Sequence, residues 1–300
     1  MNDTPPAPEQ VVPPLADPAS GKDTPQPVDW LGEIRSLAVM LLAVLAFHSF
    51  VAKPFYIPSI SMMPNLLVGD RLVVSKFPFG FNWSSVSFHL LPRGTWRVLG
   101  GTPDYGDIVI VVPANREEDL IKRVVARPGD RIAVKDGIII LNGKPVPRAI
   151  EPSVQLPEDP ELTCDGASCY SYFQNYRVRL PSGRVVYEIP AFRETLPNGA
   201  SYVVIDHMQQ SLDNMDEITV PEGHVFLMGD NRDHSADSRA ALWENGLGGP
   251  VPLYDVGGRA EFTTFSLNGS ETWNPLSWWG ALRGDRAWRS LRPVHVPQGK

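Results

Sequence analysis

A chain of 300 residues and 33.1 kDa is long enough for one large domain or two small ones. With 27 Lys and Arg against 34 Asp and Glu, its net charge of −7 argues against a nucleic-acid partner, because neutralising phosphates requires a basic surface. Two cysteines exclude a disulfide-dense scaffold and a four-cysteine zinc site, and a hydrophobic content of 43% excludes wholesale disorder.

Residues 1–30 hold Asp3, Glu9, Asp17, Asp23 and Asp29 against Lys22 alone, a local −4, and eight prolines fall between Pro5 and Pro27. Such a segment cannot bury enough surface to offset its ordering entropy, so a disordered tail is expected there. From Ser36 to Ala52 the chain reads SLAVMLLAVLAFHSFVA, seventeen residues without Asp, Glu, Lys or Arg. That length is at the short end for a membrane span, and Leu31 and Ile34 extend it, so residues 31–53 are read as a transmembrane helix. The rivals are a buried core helix and a cleaved secretory signal, although no basic start precedes the run and no clean A-x-A site follows it. Lys22 and Arg35 before the run and Lys53 after it leave the orientation nearly undetermined.

Beyond residue 65 the pattern is one of strands and turns. Asp107–Val112 is a β-branched run closed by Pro113, and Leu120–Ala126 ends at the turn cluster Arg127-Pro128-Gly129-Asp130. Arg131–Val134 and Ile138–Leu141 are separated by Asp136-Gly137 and followed by Asn142-Gly143, both strong hairpin turns. Further strands are expected at Tyr176–Leu180, Val185–Ile189, Ser201–Asp206 and Val225–Met228. Long helices do not alternate with these strands, which predicts a mainly β, antiparallel, partly barrel-like domain behind one N-terminal helix. That domain covers residues 54–300, with a β insertion at about 140–222. Cys164 and Cys169 lie five apart in a loop-like stretch: two ordinary thiols in a reducing compartment, or a small disulfide loop in an oxidising one.

Three stretches carry candidate chemistry. The first, PSISMMPNLLVGD from Pro58 to Asp70, places Ser59 and Ser61 between prolines that stiffen the backbone. It contains neither a G-x-S-x-G elbow nor an S-x-x-K motif. The second runs from Asp119 to Asp130. On a strand, Lys122 shares a face with Leu120, Val124 and Ala126, while Arg123 points the other way. A lysine on an apolar face either snorkels to solvent or is desolvated, which lowers its pKa and makes it a base. The third, Met228 to Arg239, is dense in hydrogen-bonding groups. It reads as a solvated turn or a polar network, and its spacing fits neither an EF-hand nor an H-E-x-x-H metal site.

Taken together and in order, PSISMMPNL, IKRVVARPGD and GDNRDHSADSR resemble the three boxes of bacterial type I signal peptidases, membrane-bound proteases of the Ser-Lys class. The resemblance runs from about Trp30 to about Trp288 and includes RETLPNGASY and GRAEFTTFS. It implies that Ser61 is the nucleophile and Lys122 the general base, with the Ser61 N–H and the Ser59 hydroxyl forming the oxyanion hole. It also implies that Ser235 orients the lysine amine, supported by Asp237 and Arg239. The substrates it implies are signal-peptide-bearing preproteins, cut after an Ala-X-Ala-like site. Ile57, Met62, Leu66 and Ile121 flank the pair as candidate pocket lining, with ordinary core packing as the alternative. No metal or cofactor is expected, and a monomer is.

Two positions depart from the family's pattern: His234 replaces its usual asparagine and Asn65 its frequent threonine. A surface role is the expectation for His234. The resemblance places the tail in the bacterial cytoplasm, the span in the inner membrane and residues 53–300 on the periplasmic side. Four tryptophans lie in the last 30 residues, and within residues 281–300 Arg283, Arg286, Arg289, Arg292 and Lys300 stand against Asp285. They either meet the lipid bilayer's interface or complete the core. The remaining rivals are a specialised Ser-Lys processing peptidase and, in a different class, a membrane-anchored β binding module without chemistry.

Overall fold

The computed structural model describes residues 29–85, 91–114, 118–164 and 166–297. The expected disordered tail therefore lies almost wholly outside the described residues. Among the described residues the chain divides into two units, with the boundary between Leu41 and Leu42. Helix α1 (Trp30–Phe50) has 21 residues and a mean hydropathy of 1.8 over its most apolar window, and that window has no buried residue. At 1.5 Å per residue it is about 31 Å long, which matches the hydrocarbon core of a bilayer.

The remaining elements are mostly strands, and their alternation explains the layers. Strand β1 (Ala52–Tyr56) pairs antiparallel with β2 (Asp70–Ser75). After them come β3 (Ile108–Val111), β4 (Leu120–Ala126), β5 (Arg131–Lys135), β6 (Ile138–Leu141), β7 (Arg148–Pro157), β8 (Val185–Thr195) and β9 (Ala200–Ile205). Then follow β10 (Met215–Thr219), β11 (His224–Met228), β12 (Val251–Pro252) and β13 (Val256–Ser266), with a short final strand at Val294–His295. The main sheet has the order β1-β2-β13-β3-β4-β11-β12, with every neighbouring pair antiparallel. Bulges in β13, at Ala260/Phe262 and Thr263/Phe265, add the twist that curls such a sheet.

Strand β3 is apolar at every position because both of its faces are covered. Ile108 and Ile110 pack with Leu72, Val74 and Ile121 on one side. Val109 and Val111 pack with Val124, Val225 and Leu227 on the other. The predicted hairpin turns are present, with Asp136 and Gly137 at φ 48° and 77° and Asn142 and Gly143 at φ 52° and 77°. A second sheet runs β7-β8-β9, and a third runs β10-β5-β6, so the stretch from 140 to 222 sends β10 back to pair with β5. Of the C-terminal tryptophans, Trp273, Trp278, Trp279 and Trp288 are all exposed and none completes the core.

Candidate active site

The segment between β1 and β2 is a tight loop whose ends are tied together. Ile57 N–H donates to Asp70 O at 2.9 Å and Gly69 N–H to Ile57 O at 3.0 Å. Within it, Met63 N–H to Ile60 O and Leu66 N–H to Met62 O wind a single turn. The Asp70 carboxylate accepts from Leu67 N–H at 2.9 Å and is clamped by Arg286 at 2.9 and 2.6 Å. The loop is thereby held rigid, and it presents Ser61, 7% exposed.

Lys122 enters from the middle of β4, opposite Val109 of β3. Its side chain is 3% exposed and does not snorkel to solvent. The amine Nζ donates to Ser61 Oγ at 2.9 Å and to the Ile121 carbonyl at 2.9 Å. Ser59 Oγ stands 3.3 Å from Ser61 Oγ. Ser59, Ser61 and Lys122 therefore converge.

The box from Gly229 to Arg239 follows β11 and supports this pair from behind the loop. Asn231 donates its backbone N–H to Ser61 O at 3.0 Å and its side-chain amide to Ile60 O at 3.2 Å. Asp230 receives Arg123 at 2.7 and 2.6 Å and the Asn65 amide at 2.8 Å. The buried Arg232 forks onto Glu194, with one hydrogen bond at 2.8 Å. Burial pushes the Asp237 carboxyl upward, but the adjacent Arg239 guanidinium and the N–H groups of Gly229 and Arg239 outweigh it and hold the group below the usual carboxylate range. Asp237 and Arg239 thus bind each other and the backbone of the box itself, at Gly229 N–H and Arg232 O. Ser235 is buried, and its Oγ has no hydrogen-bond partner among the described residues, so the structure does not join it to Lys122.

Gly229 has a positional reason. A Cβ there would collide with Ser235 Oγ and would stand 2.5 Å from Ser61 O. Gly229→Ala is therefore expected to displace Ser61 and, if Ser61 reacts, to lower kcat by about 100-fold, the cost of a misplacement of roughly 1 Å. Steady-state kinetics on a folded variant check this, and an unchanged kcat would show that the contact is inconsequential.

A cleft of about 590 Å³ opens beside the pair, lined among others by Ser59, Ile60, Ser61, Gln210, His234 and Ser235. Gly166, inside the loop closed by the Cys164–Cys169 disulfide, and Thr163, just before it, also border it. Ile57, Met62, Leu66 and Ile121 do not border the cleft and pack together in one core cluster, on the face of β4 opposite Lys122. His234 is not a surface residue. It is half-buried, edge-on to Tyr172 at 4.9 Å and to Phe173 at 6.1 Å, because the helix α2 (Tyr170–Phe173) after the disulfide covers it. Among the described residues no three His, Cys, Asp or Glu side chains converge as a metal site would require.

Sequence reasoning missed Asn231, Asp230 and Arg123 as individual supports. Their signal was the polar density of the third stretch and the opposite facing of Arg123 on its strand. Glu194 carried no comparable signal, because only the fold shows that its partner, Arg232, is buried.

The sequence model of the family described as signal peptidase, peptidase S26, matches residues 30–265. A signal peptidase I of Rickettsia typhi is 30% identical over 258 residues, covering 82% of each chain. One of Rickettsia conorii is also 30% identical, covering 82% of this chain and 81% of its own. A solved signal peptidase I from Enterococcus faecalis covers 53% of this chain and 97% of its own, at 20% identity and a TM-score of 0.27.

Proposed function

The chain belongs to the signal peptidase family, peptidase S26, and from that premise we propose that it removes signal peptides from exported preproteins by a Ser-Lys mechanism. The observation that carries the mechanism is the buried 2.9 Å contact between Lys122 Nζ and Ser61 Oγ. Burial disfavours an ammonium, so the amine of Lys122 is biased toward the neutral form that accepts a proton. Ser61 Oγ attacks the scissile carbonyl while Lys122 takes its proton. The acyl-enzyme forms as the same amine protonates the leaving nitrogen, and water then hydrolyses the ester.

The developing oxyanion is received by the Ser61 N–H and the Ser59 hydroxyl, which is exposed at the rim of the cleft. The box at 229–239 holds the loop in register through Asn231. A substrate strand lies in the cleft beside Ser61, and cleavage follows a small-x-small pattern. Helix α1 spans the bilayer with the catalytic part on the periplasmic side, which puts Ser61 within reach of a membrane-held signal peptide.

Ser59→Ala is expected to lower kcat by about 10²–10³ on a preprotein with an Ala-X-Ala site, the usual effect of losing one oxyanion donor. A chelator is expected to change neither enzyme. Equal rates for wild type and variant would remove Ser59 from the oxyanion hole. Chelator-sensitive cleavage would replace the Ser-Lys reading with a metal-dependent one.

A further inference from the structure

The cleft beside Ser61 has one wall that the Ser-Lys chemistry leaves unused. Ala240, Glu244 and Asn245 border the cleft from the loop that follows the box at 229–239. This loop is fixed by its own backbone. Leu242–Glu244 form one 3₁₀ turn, in which Glu244 N–H donates to Ala241 O at 3.0 Å, and Gly246 N–H donates to the same carbonyl at 2.9 Å. Leu247 N–H then donates to Asp237 O and Gly248 N–H to Ala240 O, each at 2.9 Å. The Leu247 side chain is buried with Phe79, Val225 and Leu227, and a Cβ on Gly246 would collide with Ala240 O. The loop is thereby tied to Asp237 at one side and to the core at the other.

The charge that this wall presents is of one sign. Among the described residues lining the cleft, Asp233, His234 and Glu244 can carry charge, and none is a lysine or arginine. The Asp233 side chain is buried and spends its carboxylate on the N–H groups of His207 and Met208, at 2.8 and 3.3 Å. His234 is half-buried against Tyr172 and Phe173. Glu244 alone of the three is exposed, with one oxygen accepting Ala241 N–H at 3.3 Å and no cation paired with it among the described residues. Trp243, next to it on the same turn, is 86% exposed. A carboxylate beside an open indole suits a cationic side chain, because the carboxylate supplies the opposite charge while the indole face attracts the cation and covers its methylene stem. Gln210, Ser211 and Asn245 make the rest of the rim polar, which suits a hydrophilic chain leaving into water and not the apolar segment of a signal peptide.

We propose that Glu244 and Trp243 form a specificity site that favours lysine or arginine over an acidic residue among the first residues of the mature chain, just beyond the scissile bond. The inference rests on the reading of Ser61 as the reacting group, since that reading brings the substrate into this cleft. The two residues select the substrate and take no part in the proton transfer.

The test is a competition between preproteins that share one signal peptide with an Ala-X-Ala site and differ by a single Lys or Glu at each of the first few mature positions. They are cleaved by the full-length, detergent-solubilised chain. At one of these positions the Lys substrate is expected to be favoured about fivefold in kcat/KM, the combined worth of one exposed ion pair and one exposed cation–π contact. Glu244→Gln should bring the ratio close to one, Glu244→Lys should invert it, and Trp243→Ala should lower it about twofold. Each readout is a ratio for one enzyme, so a general loss of activity in a variant does not move it. A wild-type ratio of one at every position, or a ratio that Glu244→Lys leaves unchanged, overturns this proposal alone. A ratio unmoved by Trp243→Ala, with binding to phosphatidylglycerol vesicles lost, removes the indole from the site and assigns it to the bilayer. Failure of the wild type to cleave any of the substrates overturns the underlying signal peptidase reading and this proposal with it.

Discussion

Lys122→Ala is expected to leave a folded protein whose kcat on a preprotein is about 10²–10⁴ lower than that of wild type, the range for loss of a positioned general base. The amine stands 2.9 Å from Ser61 Oγ in a buried setting, and no other base is in hydrogen-bond contact with that hydroxyl among the described residues. Lys122→Arg is expected to be as inactive, because a guanidinium stays protonated and cannot accept the serine proton. KM is expected to change little, since the lysine meets the reacting proton and not the peptide. Rates of either variant within a fewfold of wild type would mean that Ser61 is activated by another group.

Glu194→Ala is expected to cost about 3–5 kcal/mol of stability, the usual cost of stranding one member of a buried ion pair. Glu194 and Arg232 are each 1% exposed and bound in a fork, so removing the carboxylate leaves a guanidinium buried without its counter-charge. At roughly 2–4 °C per kcal/mol for a domain of this size, Tm should fall by about 10 °C. Arg232 also donates to Gly229 O at 3.1 Å, and its own carbonyl accepts from Gln210 at 2.8 Å and from Arg239 at 2.9 Å, so activity should weaken below the new Tm as well. The double variant Glu194→Leu with Arg232→Leu should recover much of the loss, because an apolar pair carries no stranded charge. A single-variant Tm within a degree of wild type would show that the pair is dispensable.

The parts of this protein legible in the sequence are those where one residue type conflicts with its local pattern. A lysine amid Leu120, Val124 and Ala126 pointed to a strand with an amine on its apolar face, which the structure buries beside Ser61 Oγ, and the Asp-Gly and Asn-Gly pairs marked the β5–β6 hairpin and the turn after it. Strand β13 was not foreseen, because its Gly257 and Gly258 look like a turn. In the fold they mark close approach instead: a Cβ on Gly258 would stand 2.5 Å from Ser75 O, where β2 and β13 pair. Strand β7 was hidden by Pro152 and by an exposed face that lacks apolar alternation.

At the site, sequence alone could name Ser61, Lys122 and Ser59, which the structure brings together. It could not tell Ile57 and Met62 as cleft lining from the same residues as core, because the two environments demand the same apolar side chain. The covering of His234 by Tyr172 and Phe173 depends on a loop closed by Cys164 and Cys169, a contact between positions about 60 apart that no local pattern records.

The most direct test is cleavage of a preprotein bearing an Ala-X-Ala signal peptide by the full-length, detergent-solubilised chain and by Ser61→Ala, with both confirmed as folded by the same thermal transition. The mature product should form with wild type and be absent with Ser61→Ala. Product released by Ser61→Ala at the wild-type rate would contradict the assignment of Ser61 as the nucleophile.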